Sequence, residues 1–162
     1  MSVQSHSHPA VSDEVQVGPL SLPGTLTVPS RHRGLVLFAH GSGSSRFSSR
    51  NRQVAAALNE AGLATLLFDL LTEEEGEDRE LVLDIGLLAD RMEHAAEWAM
   101  RDGLPQTPLG FFGASTGAAA ALVAAARQPR HVKAVVSRGG RPDLAYSDLP
   151  RVHAPTLLIV GG

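Results

Sequence analysis

Five short, largely apolar runs constrain the fold of this chain more than any other feature of its sequence. Unbroken rather than alternating hydrophobicity predicts strands that are covered on both faces, as in a parallel sheet. Segments of helical composition or periodicity separate the runs, so strands and helices alternate along the chain. With right-handed crossovers, this alternation predicts an α/β fold, a mostly parallel, doubly wound sheet with helices on both faces. The runs lie at residues 35–39, 64–68, 109–112, 132–137 and 156–160.

The N-terminal part of the chain has a different pattern. Between Glu14 and Val28, short alternating apolar stretches are separated by Gly and Pro residues, which predicts an antiparallel strand pair. The preceding residues, 1–13, are polar and include histidines, and we expect a disordered, solvated tail there rather than a metal site. A length of 162 residues suits a single domain, so residues 14–162 are predicted to form one α/β domain.

Composition excludes several classes of partner and chemistry. The net charge is −3 and aromatic residues make up 4% of the chain, so neither a basic stripe nor a stacking surface for nucleic acid is expected. The chain has no cysteine, which excludes disulfides, thiolate metal sites and a cysteine nucleophile. The apolar runs are far shorter than the roughly 20 residues that cross a bilayer. With no signal segment at its start, the chain is expected to be soluble and cytoplasmic.

The segment from Gly113 to Gly117 matches the nucleophile-elbow pattern G-x-S-x-G, with Ser115 at its centre. It directly follows an apolar run and opens an Ala-rich helix predicted over 116–126, which is the strand–turn–helix setting that the motif requires. A turn tight enough to lift the Ser115 side chain clear of the sheet needs neighbours without side chains. Ser115 is therefore the predicted nucleophile. The alternative is a small-residue turn that merely packs closely.

A second loop supports this interpretation, because His40-Gly41-Ser42 follows the strand predicted to be central. The carboxyl ends of parallel strands share one edge of the sheet, where ligands bind in such folds. An oxyanion hole needs two donors, and we predict the backbone N–H groups of Ser42 and Thr116. The second of these N–H groups lies at the start of a helix, where free N–H groups favour negative charge.

The same loop leaves a nucleotide-binding alternative open. Gly41-Ser42-Gly43 begins a G-x-G-x-x-G match, and Asp69 ends the next strand, about where a ribose-binding acid would lie. Arg46 occupies the third glycine position, which weakens this reading.

Two further segments have simple structural expectations. Residues 73–80 are strongly acidic, and a solvated loop or a first helical turn is favoured over a cation site. Apolar residues at helical spacing from Leu81 to Met100 predict one long amphipathic helix.

Four stretches together resemble the dienelactone-hydrolase-like branch of the α/β-hydrolases. They are residues 40–46, residues 64–72, the elbow at Ser115 and residues 155–161, and the similarity spans roughly residues 15–162. The resemblance implies hydrolysis of small-molecule esters or lactones through an acyl-enzyme, without a cofactor or metal. The enzymes that give the branch its name use a cysteine nucleophile, whereas this chain has a serine. That difference favours a general carboxylesterase.

The resemblance also implies a catalytic acid just after the strand 156–160, and a histidine beyond one further strand. We therefore expect these residues, and the last strand and helix, beyond Gly162 or on a partner chain. Asp143, after the fourth strand, is the best internal alternative for the acid. No internal histidine is well placed as the general base; the candidates are His40, His94, His131 and His153.

Without a further strand, residues 156–160 would form an apolar, uncharged sheet edge. Such an edge favours pairing with another chain, so we expect self-association or a complementing chain there. A non-catalytic scaffold that serves protein–protein contacts is the alternative to a hydrolase.

Overall fold

The computed structural model describes residues 9–161, which form a seven-stranded sheet with helices on both faces. The strand order is β1-β2-β4-β3-β5-β6-β7, and β3 lies at the centre. β1 and β2 run antiparallel to their neighbours, whereas β3 to β7 are mutually parallel. The predicted fold class is thereby confirmed. The strands are Ala10–Val17 (β1), Leu22–Pro29 (β2), Leu35–Ala39 (β3), Ala64–Phe68 (β4), Leu109–Ala114 (β5), Val132–Arg138 (β6) and Thr156–Ile159 (β7).

The helices divide between the two faces of the sheet. Strand residues alternate in direction, so neighbouring pairs such as Leu37 and Phe38 supply the two separate cores. The smaller core lies beneath α1, and the larger one beneath α4 and α5. The Ala-rich sequence of α5 lets it lie so close to the sheet and α4 that nearly all its residues are buried. The helices are Ser49–Glu60 (α1), Glu73–Gly76 (α2), Arg79–Val82 (α3), Ile85–Trp98 (α4) and Thr116–Arg127 (α5).

Two predicted boundaries were wrong. β1 begins at Ala10, inside the segment 1–13 that was expected to be a tail, because residues 10–13 pair with the last residues of β2 despite their exposure. The part of that tail from residue 1 to residue 8 lies outside the described residues. The single helix predicted from Leu81 to Met100 is broken, because the Asp84 side chain accepts a hydrogen bond from the N–H of Leu87 at 3.0 Å. Asp84 thus caps α4, and α3 ends before it.

β7 forms one edge of the sheet, and all four of its residues are exposed. Leu157 is 57% exposed and Leu158 is 51% exposed, so both faces of the strand lack a covering layer within residues 9–161. Over the same residues, no helix is long and apolar enough to cross a membrane.

Candidate active site

The turn between β5 and α5 holds Ser115 in a strained backbone conformation, with φ 55° and ψ −125°. Non-glycine residues rarely adopt this region, and such strain costs of order 1–3 kcal/mol. The residues on either side are buried, whereas Ser115 itself is exposed, and its hydroxyl does not cap the helix. The fold therefore presents one hydroxyl at the carboxyl edge of the sheet, where the sequence predicted it.

The glycines of the motif are required by close backbone contacts. A Cβ atom on Gly113 would lie 2.4 Å from the Cα of Ala118, and one on Gly117 would lie 2.3 Å from the carbonyl oxygen of Ala39. Real Cβ atoms do not approach backbone atoms this closely. Gly113 lets α5 pack onto its own strand, and Gly117 lets α5 approach the end of the central strand β3. The two glycines thus fix the position of the elbow against the neighbouring loop.

That neighbouring loop follows β3 and lies directly beside the elbow. A Cβ on Gly41 would lie 3.1 Å from the Cβ of Ser115 and 3.7 Å from its Oγ. The N–H of Ser42 donates a hydrogen bond to the Oγ1 of Thr116 at 2.9 Å, across 74 residues of sequence. The two loops that sequence analysis paired are therefore adjacent at one edge. The partner of the Ser42 N–H is, however, a side-chain hydroxyl of the elbow itself.

His40 anchors the start of this loop. Its Nδ1 donates to the carbonyl oxygen of Gly41 at 2.9 Å, and its Nε2 accepts from the N–H of Leu70 at 3.0 Å. Both ring nitrogens are therefore occupied in a neutral tautomer. Burial lowers the pKa of His40, because the charged imidazolium would lose its hydration. His40 serves the structure of the loop, and it has no nitrogen left to act as a general base for Ser115.

The far end of the loop is held by an ion pair. Asp69, at the end of β4, accepts from the backbone N–H of Arg46 at 2.8 Å and from its guanidinium Nη1 at 2.6 Å. Both carboxylate oxygens are thus engaged, as a ribose-binding acid would not be. This contact weakens the nucleotide-binding alternative. His40, Arg46 and Asp69 also line an open cavity of about 540 Å³ beside the loop.

The acidic segment forms one wall of that cavity and is clamped to α4. Glu75 binds the guanidinium of Arg91 through both oxygens at 2.8 Å, and Arg91 also donates to the carbonyl oxygen of Leu70. A capping box joins Glu75 to Thr72 at the start of α2. The hydrogen bonds from Arg91 lower the pKa of Glu75 from 4.5 to about 2. Part of the acidic segment thus forms a helical turn, which was one of the two structures expected from the sequence. Within residues 9–161 no group of three or more metal-ligating side chains converges.

Within residues 9–161, no histidine is hydrogen-bonded to Ser115. Asp143 is exposed and binds Arg141 through both oxygens, at 3.0 and 2.8 Å, and this contact lowers its pKa. His131 and His153 precede β6 and β7, at the edge opposite to Ser115. His94 lies on α4 and is half-buried, and its Nδ1 is buried without a hydrogen-bond partner among residues 9–161. Within the described residues, the structure brings together the elbow and the loop that follows β3, but it does not place an acid and a base beside Ser115.

Comparison with known proteins defines the class of this fold. The alpha/beta hydrolase fold family matches residues 34–158, so the chain belongs to the α/β-hydrolases. The crystal structure of dienelactone hydrolase from Anabaena variabilis ATCC 29413 is 57% identical and superposes with a TM-score of 0.89, over 97% of this chain and 75% of that one. The chain is thus of the dienelactone-hydrolase-like type within the family.

Two further matches are a solved structure of low sequence identity and a much longer protein. A dienelactone hydrolase-like promiscuous phosphotriesterase from metagenomic libraries has a TM-score of 0.73 at 16% identity, over 94% of this chain and 69% of that one, and it shares the fold. A Mycobacterium tuberculosis H37Rv protein named "Putative phosphoribosyl transferase" is 60% identical over 157 residues. That match covers 95% of this chain and 35% of the relative, so the chain spans about a third of that protein's length.

Sequence reasoning missed the side-chain contacts that hold the site together. The Arg46–Asp69 pair, the Arg91–Glu75 pair and the hydroxyl of Thr116 all act between segments distant in sequence. In the sequence, Arg46 stands out as the residue that interrupts a glycine pattern, which does not indicate its pairing with Asp69. One signal in the sequence pointed to this contact. Asp69 ends a strand predicted to lie beside the central strand, and Arg46 belongs to the loop that follows the central strand.

Proposed function

We propose that this chain carries the nucleophile of a serine hydrolase that cleaves small-molecule carboxylic esters, including cyclic esters, through an acyl-enzyme on Ser115. The observation that carries the proposal is the exposed Ser115 hydroxyl on a strained elbow beside the His40–Gly43 loop. Strain at an exposed polar residue is retained where function needs it. The membership of the α/β-hydrolase family supports the same reading.

The chemistry follows from the geometry of the two loops. The Ser115 Oγ attacks the ester carbonyl carbon, its proton passes to a histidine, and the carbonyl π-electron pair moves onto oxygen. The backbone N–H of Thr116, at the start of α5, is one donor to the developing negative charge. The second donor comes from the Ser42–Thr116 pair, in which the Ser42 N–H is bonded to the Thr116 Oγ1 in this structure. The intermediate then collapses as the C–O bond to the alcohol breaks, and the histidine gives its proton to the departing alkoxide. Water, deprotonated by the same histidine, attacks the acyl carbon, the bond to the Ser115 Oγ breaks, and the proton returns to Ser115. These steps use the protein's own groups and require no cofactor.

The acid and the histidine are supplied by sequence beyond Gly162 or by a partner chain. Two internal candidates already have partners, which supports this assignment. Both ring nitrogens of His40 and both carboxylate oxygens of Asp143 are hydrogen-bonded. The exposed edge at β7 is where a further strand bearing such residues would pair.

A non-catalytic scaffold is the second candidate function. It is favoured by the same lack of a histidine bonded to Ser115 within residues 9–161, together with the exposed apolar strand β7. In this reading Ser115 is inert, and the sheet edge is the functional surface.

Labelling with a fluorophosphonate separates the two candidates. The test uses the protein encoded by the complete reading frame that contains this chain, with Ser115→Ala as the matched variant. A hydrolase gives a covalent adduct and turnover of p-nitrophenyl acetate, both of which disappear in Ser115→Ala. Absence of labelling in the unsubstituted protein would favour the scaffold. Labelling that persists in Ser115→Ala would show that another residue is the nucleophile and would contradict the role of Ser115.

A further inference from the structure

The second oxyanion donor is the part of the site where the geometry departs from the simple expectation. The single hydrogen of the Ser42 N–H is directed at the Thr116 Oγ1, 2.9 Å away. One hydrogen cannot make a second straight bond to a substrate oxygen at full strength. The Ser42 amide hydrogen is thus already bonded within the site in this structure.

The hydroxyl of Thr116, which accepts that bond, has a hydrogen of its own to donate. A threonine hydroxyl can accept hydrogen bonds and donate one, and its hydrogen rotates about the C–O bond. Here it accepts from Ser42, and within residues 9–161 it makes no hydrogen bond as a donor. A donor that accepts a hydrogen bond is polarised by it, so its own hydrogen becomes more positive.

The placement of Thr116 suits this role. It is the first residue of α5 and directly follows the nucleophile, so its backbone N–H and its side chain are held at the same end of the helix. Its residue is 6% exposed, and so the hydroxyl is shielded from bulk water that would weaken its electrostatic effect. The contact with Ser42 and the β-branched side chain both restrict its rotamer.

We propose that the side-chain hydroxyl of Thr116 is a catalytic donor to the oxyanion, with the Ser42 N–H as the positioning group behind it. The proposal rests on the serine hydrolase function proposed above. As the Ser115 Oγ–carbon bond forms, the proton of Ser115 goes to the histidine base and the negative charge goes to the former carbonyl oxygen. Thr116 then holds that oxygen with two hydrogens, one from its amide and one from its hydroxyl.

The alternative geometry makes the opposite prediction. If substrate displaced the Thr116 hydroxyl and the Ser42 N–H turned to the oxyanion, the hydroxyl would compete with the substrate. Removing the hydroxyl would then leave the rate unchanged or raise it.

The experiment measures the rate constant for labelling by a fluorophosphonate, in which the Ser115 Oγ–P bond forms and fluoride leaves. It uses the protein of the complete reading frame with Thr116→Val, which keeps the shape and the backbone N–H, and Thr116→Ser, which keeps the hydroxyl. We expect Thr116→Val to react about 100-fold more slowly, as for loss of one oxyanion donor. Thr116→Ser should stay within about threefold of the unsubstituted protein, because it retains the donor.

Two outcomes separate this inference from the function on which it rests. Equal or faster labelling of Thr116→Val, with normal labelling of the unsubstituted protein, overturns the role of the hydroxyl and leaves the hydrolase intact. No labelling of the unsubstituted protein overturns both.

Amide hydrogen exchange at Ser42 gives a second readout that does not depend on activity. Exchange should accelerate in Thr116→Val and stay slow in Thr116→Ser, and unchanged exchange in Thr116→Val would overturn the contact itself. If Thr116→Val does not fold, Thr116→Ala takes its place, because the rest of α5 is already rich in alanine.

Discussion

The close contact at Gly117 leads to a prediction that tests the construction of the elbow. Replacing Gly117 by alanine places a Cβ 2.3 Å from the carbonyl oxygen of Ala39 and 2.4 Å from that of His40. Either the helix or the end of the central strand must move by about 1 Å to restore an ordinary contact. His40 resists such movement, because both of its ring nitrogens are hydrogen-bonded to backbone groups.

The magnitude follows from two opposing effects. Overpacking in a well-packed interior costs about 1–3 kcal/mol and at times more, and these contacts are to backbone, which cannot rotate away. Alanine returns up to about 1 kcal/mol of helix propensity. We therefore expect Gly117→Ala to lower the free energy of unfolding by about 2 kcal/mol.

Gly86 provides a matched control in the same molecule. It is the second residue of α4, as Gly117 is of α5, and a Cβ there would lie 3.4 Å from the nearest neighbouring atom, an oxygen of Asp84. Gly86→Ala should therefore gain about 0.5–1 kcal/mol. Urea denaturation followed by circular dichroism, at one protein concentration, measures both variants. Equal effects of the two substitutions, or a Gly117→Ala chain as stable as the unsubstituted one, would refute this account of the elbow.

Four further expectations follow from the same structure. Ser115→Gly should be more stable than Ser115→Ala by about 1 kcal/mol, because glycine relieves the strain at φ 55°; equal stabilities in urea denaturation would show that the elbow is unstrained. Glu75→Gln should lower the free energy of unfolding by about 2 kcal/mol at pH 7. A pKa change from 4.5 to about 2 corresponds to roughly 3 kcal/mol, and the expected loss is smaller because solvent reaches part of the carboxylate. The pKa of Glu75 is lowered in the folded state, so the stability it contributes is present above pH 4.5 and is lost as pH falls toward about 2. Denaturation at several pH values should show this loss in the unsubstituted protein and not in Glu75→Gln. The pKa of His40 is also lowered when folded, so stability should fall as pH drops below 6.5, and His40→Gln should remove that component; an unchanged profile would contradict the neutral, buried ring. The chain of residues 1–162 alone should associate through β7, so Leu158→Lys should shift its size-exclusion profile toward monomer; a monomeric unsubstituted chain would contradict this.

The fold was predictable because its signals are local. The central strands are largely apolar segments of the sequence, and the segments 35–39 and 64–68 form β3 and β4 with the predicted bounds. The elbow was equally accessible, since its glycines and its serine are adjacent in sequence. The break in the helix predicted from Leu81 to Met100 was not accessible from the sequence, because the capping role of Asp84 depends on the direction of its carboxylate.

The finer arrangement of the site depends on contacts between distant segments. Ser42 and Thr116 are 74 residues apart, and nothing in either local sequence indicates that the amide of one would bind the hydroxyl of the other. The same holds for Arg46 and Asp69, which are 23 residues apart. Sequence patterns located the two loops and the edge they share, whereas the choice of hydrogen-bond partner depends on the backbone positions fixed by the folded sheet.

The central claim is that the Ser115 hydroxyl is a nucleophile beside oxyanion donors on the elbow, which the loop after β3 holds in position. A crystal structure of the complete protein after reaction with a fluorophosphonate tests it most directly. The account predicts phosphorus bonded to the Ser115 Oγ, with the phosphonyl oxygen about 3 Å from the N–H and the hydroxyl of Thr116. A phosphonyl oxygen turned to solvent, or an adduct on another residue, would contradict it.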